Sequence, residues 1–160
     1  MTSSQHTDSH RKGAEGPTPA ARHKARHFAM QGVYQWQMTD AQPDEIYQEF
    51  CDDNEMRHVD LAYFKELLQK VAKQAEDLDA AFVDFLQDRE LNELDPITLA
   101  LLRIATFELQ ERIDIPFQVV ISEAVSLAKK FGASDSYKFV NGVLDKMALK
   151  YRVVETQQKI

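Results

Sequence analysis

Apolar residues recur at three- and four-residue intervals along most of this 160-residue chain, and this spacing restricts the fold more than any other feature of the sequence. Residues three and four apart share one face of an α-helix, whereas the residues of a half-buried strand alternate. The first such series is Ala25, Phe28, Ala29, Gly32, Val33 and Trp36. We find no convincing alternating run and no internal repeat. The pattern therefore predicts an all-α protein of about seven helices.

Prolines and capping residues mark the predicted helix starts. Pro43 and Pro96 each follow a residue that can cap, and proline is favoured at the first helical position. Asp60 precedes another apolar stripe, and its carboxylate suits the positive end of a helix. Asp114 and Pro116 are predicted to start the helix that follows residues 97–111, which form the most apolar and hence the central helix.

Two boundaries are predicted less directly. The apolar set in residues 78–89 continues the helix that begins after Asp60, either straight on or after a bend. Gly132 is predicted to end a helix in the left-handed conformation, and Ser134 or Asp135 to cap the last helix.

The composition indicates one domain with its own core. Hydrophobic residues make up 44% of the chain, which is enough for a core without disulfides. Residues 1–18 offer almost nothing to bury and are predicted to be a disordered tail, followed by a helical domain at 19–154 and a C-terminal tail at 155–160. The single cysteine, Cys51, excludes an intramolecular disulfide, and the absence of a leader or long apolar run favours a cytoplasmic protein with no membrane segment.

The net charge of −7 is unevenly distributed. Residues 1–27 carry +3, residues 28–95 carry −12 and residues 96–160 carry +2. Local potential governs the binding of a phosphate-bearing partner, so the two basic ends could form a positive surface despite the acidic middle of residues 28–95.

A group of cations that we call the basic arm, Arg22, Lys24 and Arg26, opens the first helix. Cations at a helix N-terminus oppose the helix dipole, which suggests a use other than stability. The alternative is an ordinary solvated helix face. Tyr34 lies on the polar side of the same helix, where it would either bond a backbone group or rest on RNA.

A second candidate site, which we call the corner, spans residues 132–139. Lys138 is suited to neutralise a phosphate, and Tyr137 or Phe139 to stack on an unpaired base. The alternative for Phe139 is a core position at the head of the last apolar stripe.

Nothing in the sequence indicates catalysis. There is no phosphate-binding glycine loop, no nucleophile motif and no zinc-ligand spacing, so we expect no enzyme activity, cofactor or metal. Cys51 is predicted to be a buried small apolar residue.

Four segments give the chain a family resemblance. They are ARHKARHFAMQGVYQWQ at 21–37, LLRIATFEL at 101–109, IPFQVVISEAVSLAKKFG at 115–132 and FVNGVLDK at 139–146. Together they resemble the NusB family of bacterial transcription antitermination factors, and the likeness covers nearly everything after Pro19. The last segment is the most specific.

The resemblance implies two packed helical sub-bundles and a non-enzymatic factor that binds the boxA element of nascent ribosomal RNA. It implies NusE, a small-subunit ribosomal protein, as a partner in an antitermination complex with RNA polymerase. It also implies that the RNA-binding site comprises the basic arm together with Asp135, Ser136, Lys138 and Phe139. Tyr34 is a further candidate. His23 and Lys24 replace part of the family's arginine run, and Tyr137 stands where histidine is expected.

Two other functions remain open at this point. The chain could be an RNA-binding domain related to that of ribosomal RNA methyltransferases, although 160 residues leave no room for a catalytic sheet. It could also be a helical adaptor that binds only protein. Whether the free protein is a monomer or a homodimer is not determined by the sequence.

Overall fold

The computed structural model describes residues 18–158, and within them it contains seven α-helices and no β-strand. The helices are α1 (Pro19–Met38), α2 (Pro43–Asp53), α3 (Leu61–Phe82), α4 (Pro96–Glu111), α5 (Phe117–Phe131), α6 (Ser136–Tyr151) and α7 (Val153–Gln157). Two short 3-10 helices, Val83–Phe85 and Leu91–Glu93, lie between α3 and α4. The all-α prediction is confirmed. Most of the predicted N-terminal tail, residues 1–17, lies outside the described residues.

The predicted caps form at two helix starts. Asp95 accepts a hydrogen bond from Thr98 N at 2.9 Å and another from the Thr98 hydroxyl at 2.8 Å. Asp60 accepts one from Tyr63 N at 3.1 Å, which begins α3. These bonds satisfy N–H groups that have no partner inside the helix.

The chain divides into two compact units, the first ending at Ala72 and the second beginning at Lys73. In the first unit, α1 and α2 pack with the start of α3 around fully buried Phe64, Leu67 and Leu68. The rings of Phe28 and Phe50 lie within about 6 Å of the Phe64 ring, as is usual for packed aromatic pairs.

The second unit is built around α4, which packs against both α5 and α6. Leu101, Leu102 and Leu109 are buried, as predicted for a central helix, although Ile97 at its start is only half-buried. Arg103 on α4 makes a two-pronged ion pair with Asp79, at 2.8 and 2.7 Å.

Three boundaries differ from the prediction. Helix α3 ends at Phe82, and the rest of the apolar set becomes a 3-10 turn and a loop. The residue at the N-cap of α5 is Pro116, while Asp114 instead pairs with Arg112 at 3.0 Å. Helix α7 extends to Gln157, so part of the segment assigned to a C-terminal tail is helical.

Arg152 joins the ends of three helices in the second unit, and nothing in the sequence pattern indicated this role. Arg152 is the residue that joins α6 to α7, and its buried side chain donates five hydrogen bonds. The acceptors are the carbonyls of Glu108, Leu109, Arg112 and Ile115 and the carboxylate of Glu155. Glu155 in turn accepts from Phe117 N at the start of α5, at 2.8 Å. Arg152 and Glu155 together therefore satisfy backbone groups at the end of α4 and the start of α5.

Candidate nucleic-acid interface

The basic arm lies in the first two turns of α1, in the first unit. Thr18 caps this helix by accepting a hydrogen bond from Ala21 N at 3.1 Å, and Pro19 follows at the first helical position. Lys24 is exposed on the helix surface. It is the member of the basic arm that is best placed to meet a polyanion.

The two arginines of the basic arm are held against Tyr63 of α3. Arg26 is only 3% exposed, and its guanidinium lies 5.5 Å from the centre of the Tyr63 ring. Arg22 lies 4.7 Å from the same ring, and its Nε is 3.5 Å from the Asp60 carboxylate without forming a hydrogen bond to it. Cation–π packing of this kind stabilises the contact between α1 and α3. Both arginines thus have a structural role whether or not RNA is bound.

Tyr34 is 37% exposed on α1. Its hydroxyl makes no hydrogen bond within residues 18–158, so the backbone bond considered from the sequence is not observed there. The ring is accessible to a partner.

The corner lies in the second unit, and its turn differs from the predicted one. Gly132 is extended, with φ −85° and ψ 174°, and the left-handed residue is Asp135, with φ 67° and ψ 2°. Glycine is required for space: a Cβ at Gly132 would lie 2.8 Å from the carbonyl oxygen of Ala128 and would also strike the Ser136 hydroxyl. Asp135 occupies the N-cap position of α6, but its carboxylate makes no cap bond, so the predicted capping role is wrong.

The charged side chains of the corner point to solvent. Lys138 Nζ lies 3.7 Å from the Asp135 carboxylate, and both side chains are about two-thirds exposed or more. Ser136, by contrast, is buried, and its hydroxyl has no hydrogen-bond partner among the described residues. Of these three predicted contacts, Asp135 and Lys138 are accessible as the protein stands.

The aromatic side chains of the corner each lie beside a cation. Tyr137 is half-buried, with Lys129 Nζ 5.0 Å from its ring centre and Lys138 Nζ at 5.9 Å. Phe139 is also half-buried, and the guanidinium of Arg89 lies 4.1 Å from its ring centre. Phe139 is therefore neither a core residue nor a fully open stacking surface.

Two of these cations were missed by sequence reasoning. Lys129 lies beside Lys130 in the last turn of α5, and this basic pair close to the corner was a usable signal. Arg89 had no such signal, because it stands in a polar loop between Asp88 and Glu90, far along the chain from Phe139. Only the packing of that loop brings the two together.

Cys51 lies in a different environment from the one predicted. It is half-buried and lines a cleft of about 520 Å³ beside Tyr47 in the first unit. Burial raises the pKa of the Cys51 thiol, and it also raises the pKa of the neighbouring Tyr47 hydroxyl to about 12. Both groups are neutral at physiological pH.

No helix within residues 18–158 has the length and apolar character that a membrane span requires. No three His, Cys, Asp or Glu side chains in that range come together in a group that could hold a metal ion.

The chain is similar to known proteins over most of its length. The model of the NusB family matches residues 23–149. Transcription antitermination protein NusB of Teredinibacter turnerae is 57% identical over 138 residues, covering 86% of this chain and 94% of the relative. The protein of the same name from Saccharophagus degradans is 53% identical over 138 residues, covering 86% and 92%.

A solved structure is similar in fold. The structure of T. maritima NusB superposes with a TM-score of 0.72 at 24% identity, covering 84% of this chain and 92% of that chain. At this identity the likeness concerns the fold alone, and it confirms the predicted helical architecture.

Proposed function

This chain belongs to the NusB family of transcription antitermination proteins, and on that premise we propose that it binds the boxA element of nascent ribosomal RNA as a single strand. NusE is its proposed protein partner, and an antitermination complex with RNA polymerase is the assembly in which it acts. The protein works there as a cytoplasmic, non-enzymatic adaptor.

The exposed Lys138 in the first turn of α6 is the observation that supports RNA binding most directly. The N-terminus of a helix carries partial positive charge, which favours a phosphate. Lys138 adds a full charge at the same place, and Lys129 lies beside the adjacent Tyr137 ring. Tyr137 and Phe139 are half-buried, so part of each aromatic side chain is accessible to an unpaired base.

The basic arm contributes a separate set of contacts in the first unit. Lys24 neutralises a phosphate, while Arg22 and Arg26 mainly hold the helix against Tyr63. Tyr34 supplies an accessible aromatic ring on the same helix. Phosphate contacts of this kind give affinity, and contacts with unpaired bases give sequence preference.

The acidic middle supports the choice of a basic protein partner. Glu76 and Asp77 are exposed on α3, within a stretch of sequence that carries a net charge of −12. Complementary charge accelerates the association of two proteins more than it increases their final affinity. The ribosomal protein NusE would be attracted in this way.

Fluorescence anisotropy with a labelled single-stranded RNA that carries boxA tests the RNA proposal. The control is an RNA of the same composition in scrambled order, and both are titrated with the protein alone and with NusE. We expect tighter binding of the boxA RNA. Equal binding of the two RNAs, or binding of neither, would overturn the proposal. If the protein bound NusE but neither RNA, it would be an adaptor for protein alone.

Stopped-flow association with NusE tests the partner. Reversing the charge of Glu76 and Asp77 should slow association, with a smaller effect on RNA binding. The control reverses Asp145, an exposed carboxylate on α6, and it is compared with the single reversals of Glu76 and of Asp77. Unchanged association rates for the Glu76 and Asp77 variant would place the NusE surface elsewhere.

A further inference from the structure

The loop after α3 runs back along α6, in the second unit. Just before the loop, in the last turn of α3, the Ala81 carbonyl accepts a hydrogen bond from the Tyr151 hydroxyl at 3.3 Å. Further along the loop, Gln87 takes the left-handed conformation, with φ 63°, and its side-chain nitrogen would lie 3.6 Å from a Cβ at Gly142. The loop is therefore antiparallel to α6 and approaches the first turns of that helix as its residue numbers rise.

Arg89 is the residue at which this loop reaches the corner. Its guanidinium lies 4.1 Å from the centre of the Phe139 ring, close enough for stacking. Leu86, which is fully buried, anchors the loop three residues earlier, where its carbonyl accepts a hydrogen bond from Arg89 N at 3.3 Å. The ring and the loop together hold the guanidinium in place.

The charge of Arg89 is not neutralised by the protein. Arg89 is exposed, and no carboxylate among residues 18–158 lies within ion-pair distance of it, even though Asp88 and Glu90 are its neighbours in sequence. It also lies over the first turn of α6, where the helix dipole makes a cation unfavourable. Lys138 adds a second cation to that turn. The arrangement is unfavourable for the free protein and favourable once a polyanion is bound.

We propose that Arg89 is a further RNA contact, in which the stacked guanidinium donates its N–H groups to a backbone phosphate of single-stranded RNA at the corner. This inference rests on the proposed RNA-binding function and adds a contact that Lys138 and the basic arm do not supply. A planar guanidinium presents two parallel donors to a phosphate, and stacking on Phe139 fixes its orientation beforehand. Part of the entropic cost of ordering a long side chain is thereby met in the free protein.

Three variants test the inference, with binding of labelled boxA RNA measured over a series of salt concentrations. Arg89→Ala removes the cation, Arg89→Lys keeps the charge without the planar fork, and Arg57→Ala is the control. Arg57 is exposed in the first unit, where it pairs with Glu55. Its replacement by alanine changes the net charge by the same amount as Arg89→Ala. Melting curves and circular dichroism establish that each variant is folded.

One phosphate contact on a single strand changes the slope of log K against log salt by about 0.7. Arg89→Ala should therefore flatten the slope by about 0.7. Over the tenfold range from 1 M to 0.1 M salt this slope difference amounts to about fivefold, so the variant should bind about fivefold more weakly at 0.1 M salt. Arg89→Lys should keep the slope and lose part of the affinity. Arg57→Ala should match the unmodified protein in both.

The possible failures are distinct. If the unmodified protein binds RNA and Arg89→Ala cannot be told from Arg57→Ala, the inference is wrong and the proposed function stands. A loss of affinity with no change of slope also overturns the inference, because Arg89 would then act only by holding Phe139. If the unmodified protein binds no RNA, alone or with NusE, both the function and the inference fall.

Discussion

Replacing Arg152 with methionine should destabilise the protein more than any surface change, because this side chain satisfies backbone groups at several helix ends. Arg152 is 5% exposed. Its Nε donates to the Leu109 carbonyl at 2.8 Å and its Nη1 to the Ile115 carbonyl at 2.9 Å. Methionine fills a similar volume but donates no hydrogen bond, so it isolates the polar contribution from that of packing.

The magnitude follows from the groups that are left without partners. The Leu109 and Ile115 carbonyls have no other hydrogen-bond donor among the described residues, and each buried orphan costs about 1–3 kcal/mol. The carboxylate of Glu155, 2.6 Å from Nη1, also loses its cation. Breaking a buried ion pair by removing one partner costs about 3–5 kcal/mol. The two orphaned carbonyls together give about 2–6 kcal/mol, and this range overlaps the ion-pair estimate, so we expect Arg152→Met to cost about 3–5 kcal/mol.

Urea denaturation followed by circular dichroism measures this loss, and thermal melting checks it at about 2–4 °C per kcal/mol for a chain of this size. Lys146→Met is the control, since it removes one positive charge from an exposed site on α6 and should stay within about 0.5 kcal/mol. Glu155→Gln should cost less than Arg152→Met, because that side chain is 32% exposed. An Arg152→Met protein as stable as the Lys146→Met control would refute the reasoning.

Other predictions concern the two candidate surfaces and the cleft. Lys24→Ala should reduce the slope of log K against log salt for RNA binding by about 0.7 without changing the melting temperature. Arg26→Ala should lower the melting temperature, because this side chain is packed on an aromatic ring. An unchanged melting temperature for Arg26→Ala would contradict this division of roles. Asp135→Asn should cost little stability, since asparagine adopts the left-handed conformation as readily and the exposed ion pair contributes little. It should leave RNA binding unchanged or tighter, most clearly at low salt, with Asp145→Asn as the control and a clear loss of affinity as the contrary result. Burial raises the pKa of the Cys51 thiol, so iodoacetamide should react more slowly with the native protein than with free cysteine at a pH of about 8.5. The rate should rise with pH and reach that of free cysteine in denaturant; equal rates for the native protein would count against a raised pKa.

The sequence by itself determined the features that depend on a few neighbouring residues. The caps at Asp60 and Asp95 formed as predicted, because a capping bond joins groups three residues apart. The apolar stripe of α4 likewise predicted the buried central helix, since its spacing matches the helical repeat. These signals are local and survive in any fold that contains the helix.

Tertiary structure decided the features that join distant parts of the chain. Gly132 was expected to be left-handed, but crowding by Ala128 and Ser136 explains the glycine, and the left-handed residue is Asp135. Arg152 acquires its acceptors, and Arg89 its position on Phe139, only after the helices pack. Helical spacing specifies which face of a helix is buried, but it does not specify which distant group that face will meet, because this depends on how the helices and loops pack in three dimensions.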